Sequence, residues 1–257
     1  GDEVFGGYNR HRIAPLLNIT ANLLPESIRE ITSFILDKIP LSSNGLIQNK
    51  RQKISSILRS SRSLEEAYSC LTNINSNPSS ILKNELYLSS KKNINIHKLP
   101  SANSLAERIM LADLFSYLPF DILVKVDRAS MAVGLETRAP FLDYRVVENA
   151  FRLPIELKIK SGKGKWILRQ ILYKYIPKKL LERPKSGFAI PLSPWLRGSL
   201  KEWASDLLDK KSIKEQGFLN HEHIDTMWRE HLNCSYDHSN KLWTVLMWQA
   251  WLKEWHI

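Results

Sequence analysis

Cysteine is scarce in this sequence, and the two residues present, Cys70 and Cys234, lie far apart. They form no disulfide framework, which favours a reducing cytoplasm as the location. No apolar run approaches the ~20 residues that a membrane span needs, so we expect no membrane contact. The chain starts Gly1-Asp2-Glu3, without a basic start, an apolar core or an initiator Met. This start is not a signal peptide, and we expect the chain to be part of a longer protein.

Acidic residues are outnumbered, because 37 Lys and Arg stand against 26 Asp and Glu, a formal charge of +11. A basic protein attracts polyanions such as nucleic acid, nucleotide or pyrophosphate. A solvated basic surface would explain the same excess, and the two interpretations stay open at this point.

Strand patterns are also rare, limited to a short alternation over 156–160, and helical patterns dominate. The clearest helix start is Ser104, which with Glu107 matches a capping box. We expect this helix to end at Pro119 and Asp121 to cap the next one. Further helices are predicted at about 25–39, 143–152, 165–175, 193–208, 220–232 and 240–255.

The last of these helices is apolar on nearly every face, so we expect it to be buried. Its expected core residues are Leu242, Trp243, Leu246 and Trp251. The segment 41–103 is different, being rich in Ser, Asn and Lys, and we expect short helices joined by loose loops there. The coarse prediction is an all-α chain.

Two acids and a glycine pair stand close together at the start, in the order Asp2, Glu3, Gly6 and Gly7. Adjacent acids can hold Mg²⁺, and glycines let backbone amides approach a phosphate. Taken alone, an acidic segment before a glycine turn would also be unremarkable.

Two lysines further along are candidates for chemistry. Lys125 shares a helix face with Arg128, and Asp127 lies beside it, which a plain ion-pair network would also explain. Lys185 lies in a Pro/Gly loop, where its ammonium could reach a developing oxyanion. An ordinary exposed loop lysine is the alternative interpretation.

Two other motifs carry little weight. The segment 161–165 resembles a phosphate loop but lacks the glycine spacing, and Trp166 stands where Ser or Thr would bind Mg²⁺, so we interpret it as a helix-start turn. Histidines and a cysteine crowd 221–238, but their spacing fits no standard zinc site.

Considered together, these segments resemble the asparagine synthetase family in order and spacing. The matching stretches are Asp2–Tyr8, Leu118–Asp143, Gly164–Arg169, Arg183–Pro191 and the tail from Asp237 to Leu252. The stretch Lys125–Asp143 is the most specific of them. No resemblance is visible over 41–103.

The resemblance implies a fold and a reaction. The fold is the mostly helical C-terminal portion of an adenine-nucleotide alpha-hydrolase-like (ATP pyrophosphatase) synthetase domain that fills 1–257. Its α/β nucleotide-binding core would be largely missing. Such enzymes use ATP and Mg²⁺ to adenylate a carboxylate, aspartate by default. Ammonia from glutamine then gives asparagine, AMP and pyrophosphate.

The implied site follows residue by residue. Asp2 matches a Mg²⁺–pyrophosphate ligand, with Gly1 and Glu3 beside it in the same motif. Lys185 matches a loop lysine that stabilises adenylation and contacts the cofactor phosphates. Lys125 matches a basic active-site position, so Lys185, Glu3 and Lys125 are the predicted catalytic residues.

The implied partners are the chain's own N-terminal glutaminase domain and nucleotide-binding core, with a homodimer as a further option. The fragment alone would be inactive, and we expect no membrane or nucleic acid partner. Two other functions remain open, a relative that amidates another substrate and a basic helical domain that binds nucleic acid. The second would present an exposed aromatic or basic stripe and a steep salt dependence.

Overall fold

A computed structural model of the chain describes residues 1–38, 51, 54–58, 63–74, 78–83, 99–182 and 190–255. These residues form helices, turns and two isolated β-bridges, and they include no β-strand. The prediction of a mostly helical chain is confirmed. None of the described helices combines the length and hydropathy needed to cross a membrane.

The chain divides into two compact units. The first comprises Gly1–Glu30, Ile57–Leu71 and Lys92–Lys185, and the second comprises Ile31–Ser56, Thr72–Lys91 and Ser186–Ile257. Gly1, Asp2, Glu3 and Lys125 therefore all belong to the first unit.

The described helices of the first unit are short, except for α1 and α2. They are α1 (Arg10–Leu23), α2 (Glu26–Lys38, which runs on into the second unit), α3 (Leu64–Thr72), α4 (Leu105–Ala112), a π-helical segment (Asp113–Ile122), α5 (Leu123–Met131), α6 (Tyr144–Arg152), α7 (Ile155–Lys158), α8 (Trp166–Leu172) and α9 (Lys178–Leu181). Ala14, Tyr68 and Ile109 pack α1, α3 and α4 into one core cluster. A second cluster joins Val4 and Phe5 to α6.

The described helices of the second unit surround one core cluster. They are α10 (Leu192–Arg197), α11 (Lys201–Leu207), α12 (Lys210–Gln216), α13 (His221–Leu232) and α14 (Ser239–Trp255). Leu196, Ile213, Ile224 and Leu246 are almost fully buried in this cluster.

Side-chain caps begin three of the helices that the sequence predicted. The Ser104 side chain accepts a hydrogen bond from the Glu107 amide at 3.2 Å, as the capping box predicts. Asp143 caps α6 by accepting from the Arg145 amide at 2.9 Å. Asn220 caps α13 by accepting from the His223 amide at 3.1 Å.

The prediction that Pro119 ends a helix and Asp121 caps the next is wrong. Both lie inside the π-helical segment, which joins α4 to α5 without a break. Pro119 has no N–H to donate, and wider turns leave room for its ring against the preceding carbonyls. Ser116 Oγ donates to the Ala112 carbonyl at 2.5 Å and satisfies an acceptor in this irregular stretch.

Other boundaries also differ from the predictions. The helix expected over 193–208 is split into α10 and α11 at Gly198, whose φ and ψ of −123° and −105° are not helical. The alternation over 156–160 is mostly helix α7, because Pro154 starts a turn that the Ile159 amide closes on the Ile155 carbonyl. The helix expected over 165–175 covers Trp166–Leu172.

The last helix lies where it was predicted, but not all of its predicted core residues are buried. Leu242 and Leu246 are buried, Trp243 is partly buried, and Trp251 is 44% exposed. The Trp251 ring instead stacks on Trp248 at a centroid distance of 5.4 Å. An all-round apolar helix conceals which side meets the core, so its pattern could not separate these residues.

Candidate active site

The N-terminal segment forms a tight turn anchored by apolar side chains. Val4 and Phe5 are buried in the first unit against Ala150. The Gly7 amide donates to the Asp2 carbonyl at 2.8 Å, and the Phe5 amide donates to the Gly1 carbonyl at 3.1 Å. The buried pair therefore holds the two acids in a closed turn.

A second turn, over 160–165, packs against this first one. The amides of Lys160 and Lys163 each donate to the other's carbonyl, and helix α8 begins directly afterwards at Trp166. The interpretation of 161–165 as a helix-start turn is confirmed. A side chain on Gly164 would overlap the Gly6 carbonyl, so the two backbones meet at a distance that only glycine allows.

Asp2 and Lys165 form an ion pair where these two turns meet. Their Oδ1 and Nζ atoms are 2.9 Å apart, and the side chains are 27% and 36% exposed. A Cβ on Gly7 would overlap both the Asp2 carboxylate and Cε of Lys165. Gly7 therefore leaves the space in which the carboxylate and the ammonium meet.

Glu3 is held differently from Asp2. It is only 3% exposed, and its carboxylate accepts a hydrogen bond from the Tyr8 hydroxyl at 2.8 Å. Burial raises the pKa of Tyr8, and the hydrogen bond to Glu3 raises it further. Tyr8 thus remains a donor at neutral pH and keeps Glu3 in a defined orientation.

Behind Tyr8 lies a buried polar network. The Arg10 guanidinium lies over the rings of both Tyr8 and Tyr117, 4.1 and 4.4 Å from their centroids. Its Nε donates to Asp113 at 2.7 Å, and His11 Nε2 is 2.6 Å from the same carboxylate.

Asp113 has no solvent exposure and also accepts from the Tyr68 hydroxyl at 2.8 Å. Burial alone would raise the pKa of Asp113, but the hydrogen bonds from His11 and Arg10 and the charge of Arg10 keep it below its usual value. The ionised carboxylate therefore joins α1, α3 and the π-helical segment beneath the turn that carries Asp2.

Lys125 is linked to this network through the π-helical segment. Its Nζ lies 2.6 Å from Asp121 Oδ1, one helical turn earlier, and the lysine side chain is 69% exposed. Burial raises the pKa of Tyr117, and the charge of Asp121 and a hydrogen bond to it raise it further. The Tyr117 ring packs edge-to-face on Tyr8, so Asp121 and Tyr117 connect Lys125 to the residues around Glu3.

Lys185 lies outside the described residues. The last described residue before it is Glu182, whose side chain is well fixed. The Glu182 carboxylate accepts from Lys163 Nζ and from the Tyr173 hydroxyl, each at 2.5 Å. These two hydrogen bonds lower the pKa of Glu182 to about 2. The 160–165 turn therefore makes two contacts of this kind. Its Lys165 pairs with Asp2, and its Lys163 pairs with Glu182.

The donor set around Asp2 fits one kind of metal site. Among the described residues, no group of three or more His, Cys, Asp or Glu side chains could enclose an ion. Mg²⁺ does not need such a cage, because it binds through one or two carboxylates together with substrate phosphates and water. Asp2 offers one partly exposed carboxylate, whereas the Glu3 carboxylate is buried against Tyr8.

Several residues of this site had no sequence signal. Asp113 lies 102 residues from His11, so no local pattern links them. Lys165 lies within the family-like stretch Gly164–Arg169, but nothing in the sequence pairs it with Asp2. What the sequence could not show is that the 160–165 turn meets the glycine pair.

Comparison with known proteins gives the family. The asparagine synthase family matches residues 1–253. A protein of Bacillus subtilis named asparagine synthetase [glutamine-hydrolyzing] 1 is 27% identical over 254 residues, 97% of this chain and 38% of that protein. A putative asparagine synthetase [glutamine-hydrolyzing] of Mycobacterium tuberculosis is 33% identical over 257 residues, 97% of this chain and 37% of that protein. No solved structure was found to match.

The chain therefore belongs to the asparagine synthase family. It spans 38% of the length of the Bacillus subtilis relative. The described helices are consistent with a helical portion of the synthetase domain, as the resemblance implies.

Proposed function

We propose that this chain is the helical part of an ATP-dependent ligase that converts a carboxylate into an amide. Aspartate is the default substrate, and asparagine, AMP and pyrophosphate are the products. The ammonia would come from glutamine, hydrolysed by a separate N-terminal domain of the same protein. Membership of the asparagine synthase family over 1–253 supports this reaction class.

Adenylation is the step in which this chain's residues would act. A carboxylate oxygen of the substrate attacks the α-phosphorus of ATP, and pyrophosphate leaves with its bonding electrons. Ammonia then attacks the acyl carbon of the mixed anhydride, AMP departs, and the nitrogen loses a proton. Bound Mg²⁺ would neutralise charge on the phosphates during the first step.

One observation in the structure carries the proposal. The Asp2 carboxylate is partly exposed, beside the 160–165 turn and above Gly7, which leaves room for close approach. A carboxylate in this setting can contribute one oxygen to Mg²⁺ that also binds pyrophosphate. Gly1 would lie alongside the phosphates, and Glu3, fixed by Tyr8, would maintain the shape of the turn.

The two lysines would act on negative charge. We propose that Lys185 stabilises the charge that grows on the α-phosphate and on the leaving pyrophosphate. Lys125, paired with Asp121, would add a second basic group. The partners proposed for the chain are its own glutaminase domain and nucleotide-binding core, with a second copy as a further option, in the cytoplasm.

The reaction is tested with the full-length protein, aspartate, glutamine and Mg·ATP. Asparagine, AMP and pyrophosphate should form in equal amounts. Asp2→Asn should slow pyrophosphate release by about 100-fold or more, because the metal loses an anionic ligand. Asp206→Asn, at an exposed acid in the second unit, is the matched control and should leave the rate unchanged. Normal pyrophosphate release from Asp2→Asn would exclude the role of Asp2.

The identity of the carboxylate substrate is tested separately. If aspartate gives no product while another carboxylate supports AMP formation, the adenylating reaction stands and only the substrate changes. If no carboxylate supports AMP formation, the ligase proposal is wrong.

Nucleic acid binding is the second candidate, and one observation favours it. The rings of Phe218, Trp248 and Trp251 form an exposed aromatic group on α14 and the turn before α13, where we expected buried tryptophans. Aromatic rings of this kind can stack on single-stranded bases. Binding of an oligonucleotide that weakens steeply with salt and is lost in Trp251→Ala would support this function. Family membership supports the ligase instead.

A further inference from the structure

We propose that Arg10 is a positioning residue for the reaction proposed above, because its guanidinium holds the two tyrosines through which Glu3 and Lys125 are placed. This inference rests on the proposed function and adds to it a residue that acts through other side chains. One arm of its action leads through Tyr8 to Glu3. The other leads through Tyr117 to Lys125.

The Arg10 side chain is fixed by a buried carboxylate. Its Nε lies 3.0 and 2.7 Å from the two carboxylate oxygens of Asp113, and the arginine side chain is only 16% exposed. Asp113 is fully buried and is held in turn by His11 and by the Tyr68 hydroxyl. Separation of such a pair would leave a buried charge without a partner, which is strongly unfavourable. The guanidinium therefore has a fixed position.

The first arm leads to the acidic turn. The guanidinium carbon of Arg10 lies 4.1 Å from the centroid of the Tyr8 ring, and a cation is attracted to an aromatic face. The Tyr8 hydroxyl donates to the Glu3 carboxylate at 2.8 Å, and Glu3 is only 3% exposed. A shift of the Tyr8 ring would therefore move the buried acid that adjoins Asp2, the proposed metal ligand.

The second arm follows one continuous helical stretch. Four of its residues stand four positions apart: Asp113, Tyr117, Asp121 and Lys125. Residues at this spacing are neighbours on a helix surface. The guanidinium carbon of Arg10 lies 4.4 Å from the Tyr117 ring centroid. The Tyr117 hydroxyl donates to Asp121, whose Oδ1 lies 2.6 Å from Lys125 Nζ. The exposed ammonium is thus connected to the buried guanidinium.

This arrangement predicts that the two hydroxyls depend on Arg10. If the guanidinium holds both rings, the Tyr8 and Tyr117 hydroxyls lose most of their influence on the reaction once Arg10 is changed. Substitutions in one contacting network are non-additive, whereas substitutions at independent sites add. A residue that only stabilises the fold would leave the effect of each hydroxyl unchanged.

The test measures pyrophosphate release by the full-length protein with Mg·ATP, glutamine and aspartate, or another carboxylate that supports AMP formation. Tyr8→Phe and Tyr117→Phe each remove one hydroxyl. Each should lower kcat about fivefold with little change in the KM for Mg·ATP, because correct placement of the charges acts in the transition state.

The coupling is measured in an Arg10→Lys background. Lysine retains a charge beside Asp113 but does not reproduce the planar guanidinium over the rings, so kcat should fall by about tenfold. In this background, Tyr8→Phe or Tyr117→Phe should lower kcat by less than about twofold more.

Two controls separate positioning from stability. Lys158→Met removes another buried cation of the same unit and should lower stability without changing kcat of the folded protein. Tyr175→Phe, at an exposed tyrosine, should change neither. Fully multiplicative losses in the double variants, or a normal kcat in both Tyr8→Phe and Tyr117→Phe, would overturn the inference and leave the proposed function intact. If the unaltered protein releases no pyrophosphate with any carboxylate, the proposed function fails and this inference fails with it.

Discussion

Lys158 and Glu107 form an ion pair inside the first unit, with 3.1 Å between Nζ and Oε1. Lys158 is fully buried and Glu107 is 7% exposed. The lysine also lies over the Phe151 ring, 5.2 Å from its centroid. The pair connects α7 to α4, two helices that are about 50 residues apart in the sequence.

Removing one member of this pair should be far more damaging than removing both. Lys158→Met leaves the Glu107 carboxylate buried without its cation and should lower the free energy of unfolding by about 3 kcal/mol. Lys158→Met combined with Glu107→Gln should recover part of that loss. Urea unfolding measures both. Lys163→Met, which breaks the exposed pair with Glu182, is the control and should lower the free energy of unfolding far less, because water screens the exposed pair. Equal losses for the buried and exposed pairs would contradict the prediction.

His231 should make the protein sensitive to acid. Its side chain is fully buried, and this burial, with the charge of Arg197, lowers the pKa of His231 from 6.5 to about 4, although Asp237 opposes the shift. The unfolded chain takes up a proton near pH 6.5, whereas the folded chain does not until about pH 4. Stability should therefore be independent of this group above pH 6.5 and fall by up to about 3 kcal/mol as the pH drops to 4.

The measurement is urea unfolding between pH 4 and 8 for the unaltered protein and for His231→Gln. The variant should be less stable at pH 8 but should lose less stability on acidification. His221→Gln, at a partly exposed histidine at the start of the same helix, should retain the original pH dependence. Parallel pH curves for His231→Gln and the unaltered protein would show that His231 is not the responsible group.

Gly7→Ala should impair the site more than the fold. The added methyl group overlaps the Asp2 carboxylate and Cε of Lys165, so these side chains must move. We expect at least a tenfold loss of pyrophosphate release in the full-length protein and a small change in melting temperature. Gly162→Ala is a contrasting control, because Gly162 has a φ of +71° and open space around it. It should cost about 1 kcal/mol of stability through its backbone and leave the reaction rate unchanged. Equal rates in both variants would contradict the close approach at Gly7.

Lys185 should be essential for amide formation and not for glutamine hydrolysis. In the full-length protein, Lys185→Ala removes the cation that would stabilise the leaving pyrophosphate, so asparagine formation should disappear while glutaminase activity remains. Lys185→Arg should also be impaired, because a planar guanidinium does not replace a compact ammonium. Coupled assays of asparagine and glutamate measure the two reactions. Wild-type amide formation by Lys185→Ala would remove the central lysine from the mechanism.

Part of the fold followed from the order of residues alone. A cap acts within three or four residues, so Ser104, Asp143 and Asn220 could be recognised as helix starts from their neighbours. At Pro119 the same approach gave a wrong helix end. Proline disfavours a helix only locally, whereas packing and the change to π-helical turns keep this helix continuous.

The sequence by itself determined the helical class of the chain, its family resemblance and the identity of Asp2 and Glu3 as the acidic pair, because these depend on composition and on short motifs. Only the tertiary structure decided how the two acids differ. Tyr8 buries and orients Glu3, whereas Lys165, from a turn more than 150 residues away, meets Asp2 near solvent. That meeting depends on two glycine backbones in close contact, and contacts between distant segments follow from packing, which no local pattern encodes.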